Sequence, residues 1–356
     1  MVGFLGRQEC GGRRGRRRLT AAATLAGLLM FGGCAAASSS ASRAVERSAA
    51  AVPGIVDIET NVDLPGAAGA GTGMVLRGSG VVLTNNHVIR GATAIRVTDL
   101  DNGRTYRASI VGYDASADIA VLQLKSASGL KTIPLGDSST LKVGDAVTAL
   151  GNAGGVGGHP SSATGTITAL GRSLAAGDEN GASEQLSGLI ETSAPLEPGD
   201  SGGPLLDSAG KAIGMDTAAS ASLFFQPQAT QGYAIPINTA TAIAAAIEDG
   251  DASSTVHVGP TAFLGVSIEP FSYLDGTQLM PGALVLGVVP ASPVERAGVS
   301  FGDVITSLDG HTITSPALLG SLLLGKNPGE TVRLRWVSPL GTGHSSTIRL
   351  AAGPPQ

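Results

Sequence analysis

Three short strings in this chain of 356 residues carry side chains that could do chemistry together. Thr84-Asn85-Asn86-His87-Val88 places a histidine at the end of a strand-like run. Ala117-Asp118-Ile119-Ala120-Val121-Leu122 places an acid at the head of an apolar one. Gly199-Asp200-Ser201-Gly202-Gly203-Pro204 rings a serine with glycines. The order is His, Asp, Ser, with separations of 31 and 83 residues. A serine hydroxyl is a poor nucleophile at neutral pH and needs a neighbouring base. His87 would take the Ser201 proton and return it to the leaving group, and Asp118 would hold the imidazole in the right tautomer. Glycines at 199, 202 and 203 leave no Cβ in the way of a substrate carbonyl, so the N–H groups of Gly199 and Ser201 could meet a developing oxyanion. Singly, each string has an ordinary explanation: a turn histidine, a strand-edge charge, a glycine turn. Together, in this order, they predict acyl transfer by an activated serine.

Residues so far apart in sequence need a scaffold of non-local pairings. From Pro53 to about Pro236 the chain shows short β-branched runs separated by Gly, Asp and Asn: Ile55–Glu59, Gly73–Leu76, Val81–Thr84, Ala94–Thr98, Ile119–Leu124 and Ala146–Leu150. Evenly spaced short strands predict a mainly β architecture, an antiparallel barrel or sandwich. Asn238–Ile247 reads as a helix capped by Asn238 and stopped by Gly250, and Asp251–Pro260 as a polar linker. A second Gly/Val-rich unit runs from Thr261 to Leu350.

Six arginines in the first 18 residues are followed by Leu19–Gly33, an uncharged and mostly apolar run. A basic segment, a short apolar stretch and then small residues predict an export signal. The run falls short of the roughly 20 apolar residues of a membrane span, although uncharged residues continue to Ser42, so retention as an anchor stays open. Cleavage after Ala35–Ala37 and lipidation of Cys34, in the degenerate box Phe31-Gly32-Gly33-Cys34, also stay open. Both cysteines, Cys10 and Cys34, lie in this stretch, so the body has no disulfide. The net charge of −5 conceals a more acidic body once these arginines are set aside, which argues against nucleic acid as partner. Scattered histidines and the absence of body cysteine suggest no metal site and no cofactor.

The three strings, with Gly71-Thr72-Gly73 before them and Gly232-Tyr233-Ala234-Ile235-Pro236 after, resemble in order and spacing the protease domain of the HtrA (DegP-like) branch of trypsin-like peptidases. The resemblance implies two six-stranded antiparallel β-barrels over residues 53–248, with the catalytic groups between them. Three departures bear on what carries over. The family usually has Asn before the serine, where this chain has Asp200; in digestive trypsins an Asp there pairs with a newly cut N-terminus, but no basic site precedes Gly54-Ile55-Val56, which reads instead as a first strand. Aromatics near the mature N-terminus staple family trimers, and none lies between Phe31 and Tyr106, so the oligomeric state is left open. Trypsins that cut after Arg or Lys carry an Asp six residues before the serine. Here Pro195 stands there, followed by Leu196, which with Tyr233 and Ala234 implies a pocket for small aliphatic side chains. Loops at 171–186 and 217–231 match segments that reorder on activation in that family.

Residues 261–350 resemble the PDZ domain that such proteins carry, through Phe263-Leu264-Gly265-Val266, Ala291-Ser292-Pro293-Val294, Gly302-Asp303-Val304-Ile305 and an apolar helix at Ser315–Leu324. A PDZ groove adds a peptide as an extra strand. The N–H groups of Leu264, Gly265 and Val266 would hold a C-terminal carboxylate, and Leu264, Val266, Leu319 and Leu323 would receive its last side chain. The expected organisation is a signal or anchor segment (1–34), a tether (35–52), the peptidase (53–248), a linker (249–260), the PDZ domain (261–350) and a tail (351–356). Two functions stay open: a serine endopeptidase acting on unfolded envelope proteins, or a latent protease that serves as a chaperone or peptide-binding scaffold. Expected partners are unfolded protein substrates and peptide C-termini, with a membrane tether through the N-terminal segment as an option. An esterase with the same triad is set aside, because α/β-hydrolases run Ser, Asp, His.

Overall fold

The computed structural model describes residues 52–62, 68–177, 183–217, 231–275 and 278–355; the expected signal or anchor segment, Cys34 and most of the expected tether lie outside them. Six strands form the first barrel: β1 (Ile55–Val62), β2 (Ala68–Arg77), β3 (Val81–Thr84), β4 (Ala92–Asp99), β5 (Arg104–Asp114) and β6 (Ile119–Leu124). They follow the order β5-β4-β1-β2-β3-β6, and a direct β5–β6 ladder closes the sheet on itself. Strand β4 alternates buried and exposed positions along most of its length, as a half-solvated barrel strand must, whereas all of β3 and all but Gln123 of β6 are buried. A one-turn helix, α1 (Asn86–Ile89), leaves β3 and carries His87.

The second barrel is built from β7 (Ala146–Gly151), β8 (Ser161–Gly177), β9 (Ser183–Thr192), β10 (Pro204–Leu206), β11 (Ala212–Thr217) and β12 (Gly232–Pro236). Its order is β10-β11-β12-β9-β8-β7, closed by β7 against β10. Most of the segment expected as a loop at 171–186 is strand. Register shifts carry β8 and β9 through Arg172↔Leu189 and Leu174↔Leu186, and both leucines of the latter pair are buried. Those apolar residues sit too far apart among Gly, Ala and Ser to show period-2 alternation in the sequence.

Helix α2 (Ile237–Asp249) buries Ile237, Ala240, Ala244 and Ile247. Gly250 ends it at φ 83°, as expected, but Asn238 is not its cap. Pro236 precedes the first turn, and the Asn238 side chain turns away to donate to Asp137 Oδ1 at 2.7 Å and accept from the Ser138 N–H at 3.3 Å. The segment read as a polar linker contains β13 (Val256–Val258), which pairs with β5. That pairing needs Gly112: a Cβ there would lie 2.4 Å from the His257 carbonyl and 2.7 Å from Ile247.

The second unit contains β14 (Thr261–Phe263), β15 (Val266–Asp275), β16 (Gln278–Val288), α3 (Pro293–Arg296), β17 (Val304–Leu308), β18 (His311–Thr312), α4 (Pro316–Leu324), β19 (Thr331–Val337), β20 (Gly343–Arg349) and β21 (Ala351–Gly353). Its main sheet runs β15-β16-β17-β19-β20. Ser315 caps α4 by accepting from the Leu318 N–H. The expected tail is instead the strand β21, paired with β14, after which the Pro355 carbonyl accepts from the Gly91 N–H beside α1 at 2.9 Å. His257 Nδ1 donates to the Leu324 carbonyl at the end of α4, and its ring packs on Tyr113 of β5 at 5.1 Å.

Gly112→Ala is expected to force β13 off β5. Overpacking of this kind costs about 1–3 kcal/mol. Denaturant unfolding should show that loss, and limited proteolysis should cut between 249 and 260 faster than in the wild type.

Candidate active site

His87 and Asp118 are brought together by the ends of two strands of the first barrel. Helix α1 follows β3 directly, and Asp118 sits in the tight β5–β6 turn in the left-handed region, at φ 55°. Asp is among the few residues that take this conformation, and such strain concentrates at functional sites. The Asp118 carboxylate is 2% exposed and accepts three hydrogen bonds. The His87 backbone N–H donates to Oδ1 at 2.9 Å, the ring Nδ1 lies 2.8 Å from Oδ2 and 3.1 Å from Oδ1, and the Thr217 hydroxyl donates to Oδ2 at 3.2 Å. A carboxylate only accepts, so Nδ1 carries the proton and Nε2 is the basic nitrogen. The Asn85 side-chain amide donates to the Asp118 carbonyl at 2.9 Å and fixes the turn.

Ser201 enters from the second barrel, on the loop between β9 and β10, and is almost fully enclosed. Gly199 has φ 104°, a conformation for which glycine is suited, and a Cβ there would lie 2.0 Å from the Asn152 carbonyl. The Gly199 carbonyl is held by the Thr72 hydroxyl at 2.7 Å; no acceptor among the described residues takes its N–H. Thr72 does more: its hydroxyl accepts from the Asn152 N–H at 2.9 Å, and its own N–H donates to the Ser201 carbonyl at 2.8 Å. Its carbonyl in turn receives the Thr84 hydroxyl at 2.7 Å. This one threonine of β2 therefore pins the serine loop of the second barrel onto the first. Thr72 and Thr217 were not singled out from the sequence. Thr72 stood inside the Gly71-Thr72-Gly73 string, and its two small neighbours were the available signal; Thr217 had none.

Asp200, whose partner the sequence left open, is buried and bonded on both oxygens. Ser161 donates its hydroxyl to Oδ1 at 3.1 Å, and the Glu197 N–H donates to Oδ2 at 2.9 Å. Burial nevertheless raises its pKa from the ordinary carboxylate value. Gly54 and Ile55 are engaged elsewhere: Gly54 bonds Asp101 through its N–H, and Ile55 begins β1.

The expected substrate-pocket residues lie on adjoining elements. Pro195 is exposed, Leu196 and Tyr233 are half-buried, and Ala234 is buried. Leu196 packs close against Gly232, where a Cβ would lie 2.6 Å from its Cγ. Most of the loop at 217–231 lies outside the described residues. In the second unit, Leu264, Leu319 and Leu323 are buried in the core, while Val266 is half-buried where β15 begins. Among the described residues no group of His, Cys, Asp and Glu could hold a metal.

Two closed six-stranded barrels with a His–Asp pair on one and a glycine-ringed serine on the other, followed by a separate six-stranded sheet with helices, define a trypsin-like peptidase joined to a PDZ domain. A family model described as a trypsin-like peptidase domain matches residues 71–215, and one described as a PDZ domain matches residues 262–337. The putative serine protease HhoA of Synechocystis sp. is 37% identical over 261 residues, covering 71% of this chain and 63% of that protein. The periplasmic pH-dependent serine endoprotease DegQ of Escherichia coli is 37% identical over 269 residues, 75% of this chain and 56% of that protein. The serine protease PepD of Mycobacterium tuberculosis is 34% identical over 328 residues, 87% of this chain and 66% of that protein. This chain thus spans about half to two thirds of the length of these relatives, and it belongs to the HtrA family.

A further acid ties the barrels together near the site. Asp57 of β1 is buried and accepts from the Gly158 N–H, in the loop that follows Asn152, at 3.2 Å. Burial raises its pKa to about 6. Its folded pKa lies above its unfolded one, so the folded state binds the extra proton and loses stability as pH rises from about 4 to 6, by at most about 1.4 kcal/mol per pH unit. Thermal unfolding of Asp57→Asn is expected to vary less with pH across that window than that of the wild type; equal slopes would remove Asp57 as the cause.

Proposed function

We propose that the chain is an exported serine endopeptidase that hydrolyses unfolded proteins through an acyl-enzyme on Ser201. The observation that carries this reading is the buried, triply hydrogen-bonded Asp118 holding His87 by Nδ1, with the Ser201 loop fastened to the same barrel through Thr72. Nε2 of His87 would take the Ser201 proton as Oγ attacks the scissile carbonyl, and would return it to the leaving amine. Asp118 would stabilise the imidazolium that forms. The N–H groups of Gly199 and Ser201 would receive the oxyanion; losing one such donor typically costs about 2.7–4 kcal/mol in the transition state. Leu196 seated against Gly232 leaves an apolar and shallow primary pocket, completed by Pro195, Tyr233 and Ala234, which favours cleavage after Ala, Val or similar residues.

The PDZ unit would take peptide C-termini beside β15, through the N–H groups of Leu264, Gly265 and Val266 and an apolar floor to which Leu319 and Leu323 contribute. The basic and apolar N-terminal segment, and relatives whose names place them in the periplasm, support export to the cell envelope. Lipid attachment at Cys34 or retention of the segment would tether it there.

The test uses the full chain, a fluorophosphonate that bonds only to an activated serine, and β-casein as an unfolded substrate. A single adduct is expected, lost in Ser201→Ala, with casein cut mainly after small aliphatic residues. Asp118→Asn should slow cleavage by about 10⁴, the loss that follows from the wrong tautomer in a chymotrypsin-type triad. Neither adduct nor cleavage, even with a PDZ-binding peptide added, would replace the peptidase reading with a latent, chaperone-like one.

A further inference from the structure

A second carboxyl group stands behind the nucleophile. Asp216 of β11 has no solvent exposure at all, and neither of its oxygens has a hydrogen-bond partner among the described residues. Its backbone is engaged on both sides by the serine loop: its N–H donates to the Gly203 carbonyl and its carbonyl accepts from the Gly202 N–H, each at 2.8 Å. The next residue, Thr217, holds the Asp118 carboxylate. Successive strand residues face opposite ways, so Thr217 looks to the triad while Asp216 looks inward behind Ser201.

The charged group that acts on Asp216 is Asp200, from the 199–203 loop. Strand β10 on one side carries no titratable residue. Strand β12 on the other has only Tyr233, which stands opposite Thr217, while Ala234 stands opposite Asp216. Helix α2, packed against β11, keeps its acids at its far end, where Glu248 is paired with Arg77. No cation faces Asp216 from these elements. An isolated carboxylate in such surroundings is neutralised by a proton. Asp200 holds two donors, so it is the better carrier of the one negative charge two neighbouring acids can keep.

We infer that Asp216 is held as a neutral acid behind Ser201, and that its proton is needed for the serine loop and the Thr217–Asp118 bond to keep their places. This makes Asp216 a positioning residue, and it rests on the peptidase reading above. Burial first, and the Asp200 charge second, push the Asp216 carboxyl well above the usual range, in keeping with this assignment. Ionisation would leave a second buried charge with no donor, which draws in water or a cation and loosens the end of β11.

The experiment measures fluorophosphonate labelling rates of the full chain and of Asp216→Asn from pH 5 to 10. Towards alkaline pH the wild-type rate should fall by up to about tenfold per pH unit once Asp216 ionises. Asp216→Asn should lack the fall, labelling about tenfold faster at the pH where the wild type has lost a factor of ten. Coincident profiles, whether or not they decline, overturn the inference. Absence of wild-type labelling at every pH overturns the peptidase reading instead. If Asp216→Asn does not fold, or nothing is labelled, infrared difference spectra of the wild type against Asp216→Leu decide: a protonated-carboxyl band at pH 7 that is lost in alkali and missing from the variant supports a neutral Asp216, and spectra with the same carboxyl bands refute it.

Discussion

A buried carboxylate must be surrounded by donors or it takes up a proton, and the Asp118 carboxylate is where this constraint organises the molecule. Its donors come from three places: the His87 main chain, the His87 ring, and the Thr217 hydroxyl at the end of β11. The first two belong to the first barrel and the third to the second. Satisfying one charge therefore requires both barrels to be closed and docked. Asp118 accepts a left-handed backbone to reach this position, and the Asn85 amide holds the turn there. The neighbouring Asp216 shows the contrast: equally buried, one residue from Thr217, but with no donor supplied.

Thr72 does for Ser201 what Asp118 does for His87. A strand residue ordinarily spends its backbone groups on its ladder; here the N–H, the carbonyl and the hydroxyl of one threonine all face polar partners at the barrel seam. Gly71 and Gly73 flank it because Cβ atoms there would meet Val88 at 2.7 Å and Val82 at 2.8 Å. The two glycines thus let β2 pack closely on α1 and β3 within the first barrel, with Thr72 between them facing the Ser201 loop. Gly202 answers from the other side, where a Cβ would lie 2.1 Å from the Thr72 carbonyl.

Much of this was legible in the sequence, for a physical reason. Chemistry needs particular residue types, and glycine-ringed serine, strand-end histidine and strand-head aspartate are local strings that tolerate few substitutes. Strands β1, β3, β4, β6 and β7 were legible because β-branched runs bounded by Gly and Asp fit a pleated, half-buried surface. Three elements were not. The outer part of the β8–β9 hairpin carries few β-branched residues and is held by the pair Leu174 and Leu186 across a shifted register. Strands β13 and β21 are three residues each and owe their form to the edges they meet, β5 and β14. Asn238 had the composition of a cap but found better partners in Asp137 and Ser138, a hundred residues away in sequence.

Those two unforeseen strands also decide how the units are joined. A polar linker would leave the PDZ domain on a loose leash; β13 instead lies in the sheet of the first barrel, and β21 leads the chain end to Gly91, just past α1. Leu324, the last residue of α4, packs against the apolar core of the first barrel, and its carbonyl accepts a hydrogen bond from His257 Nδ1 while the His257 ring rests on Tyr113. Tyr113 in turn meets the Thr261 hydroxyl at 3.3 Å. Helix α4 is the element that supplies Leu319 and Leu323 to the PDZ core, and β5 is the strand that turns into Asp118. Helix α4 therefore meets β5 through packed side chains and hydrogen bonds rather than through a flexible tether. Cores packed this densely move between discrete arrangements and do not deform smoothly. The same seam that joins the PDZ domain to the first barrel thus runs along β5, the strand that precedes the Asp118 turn.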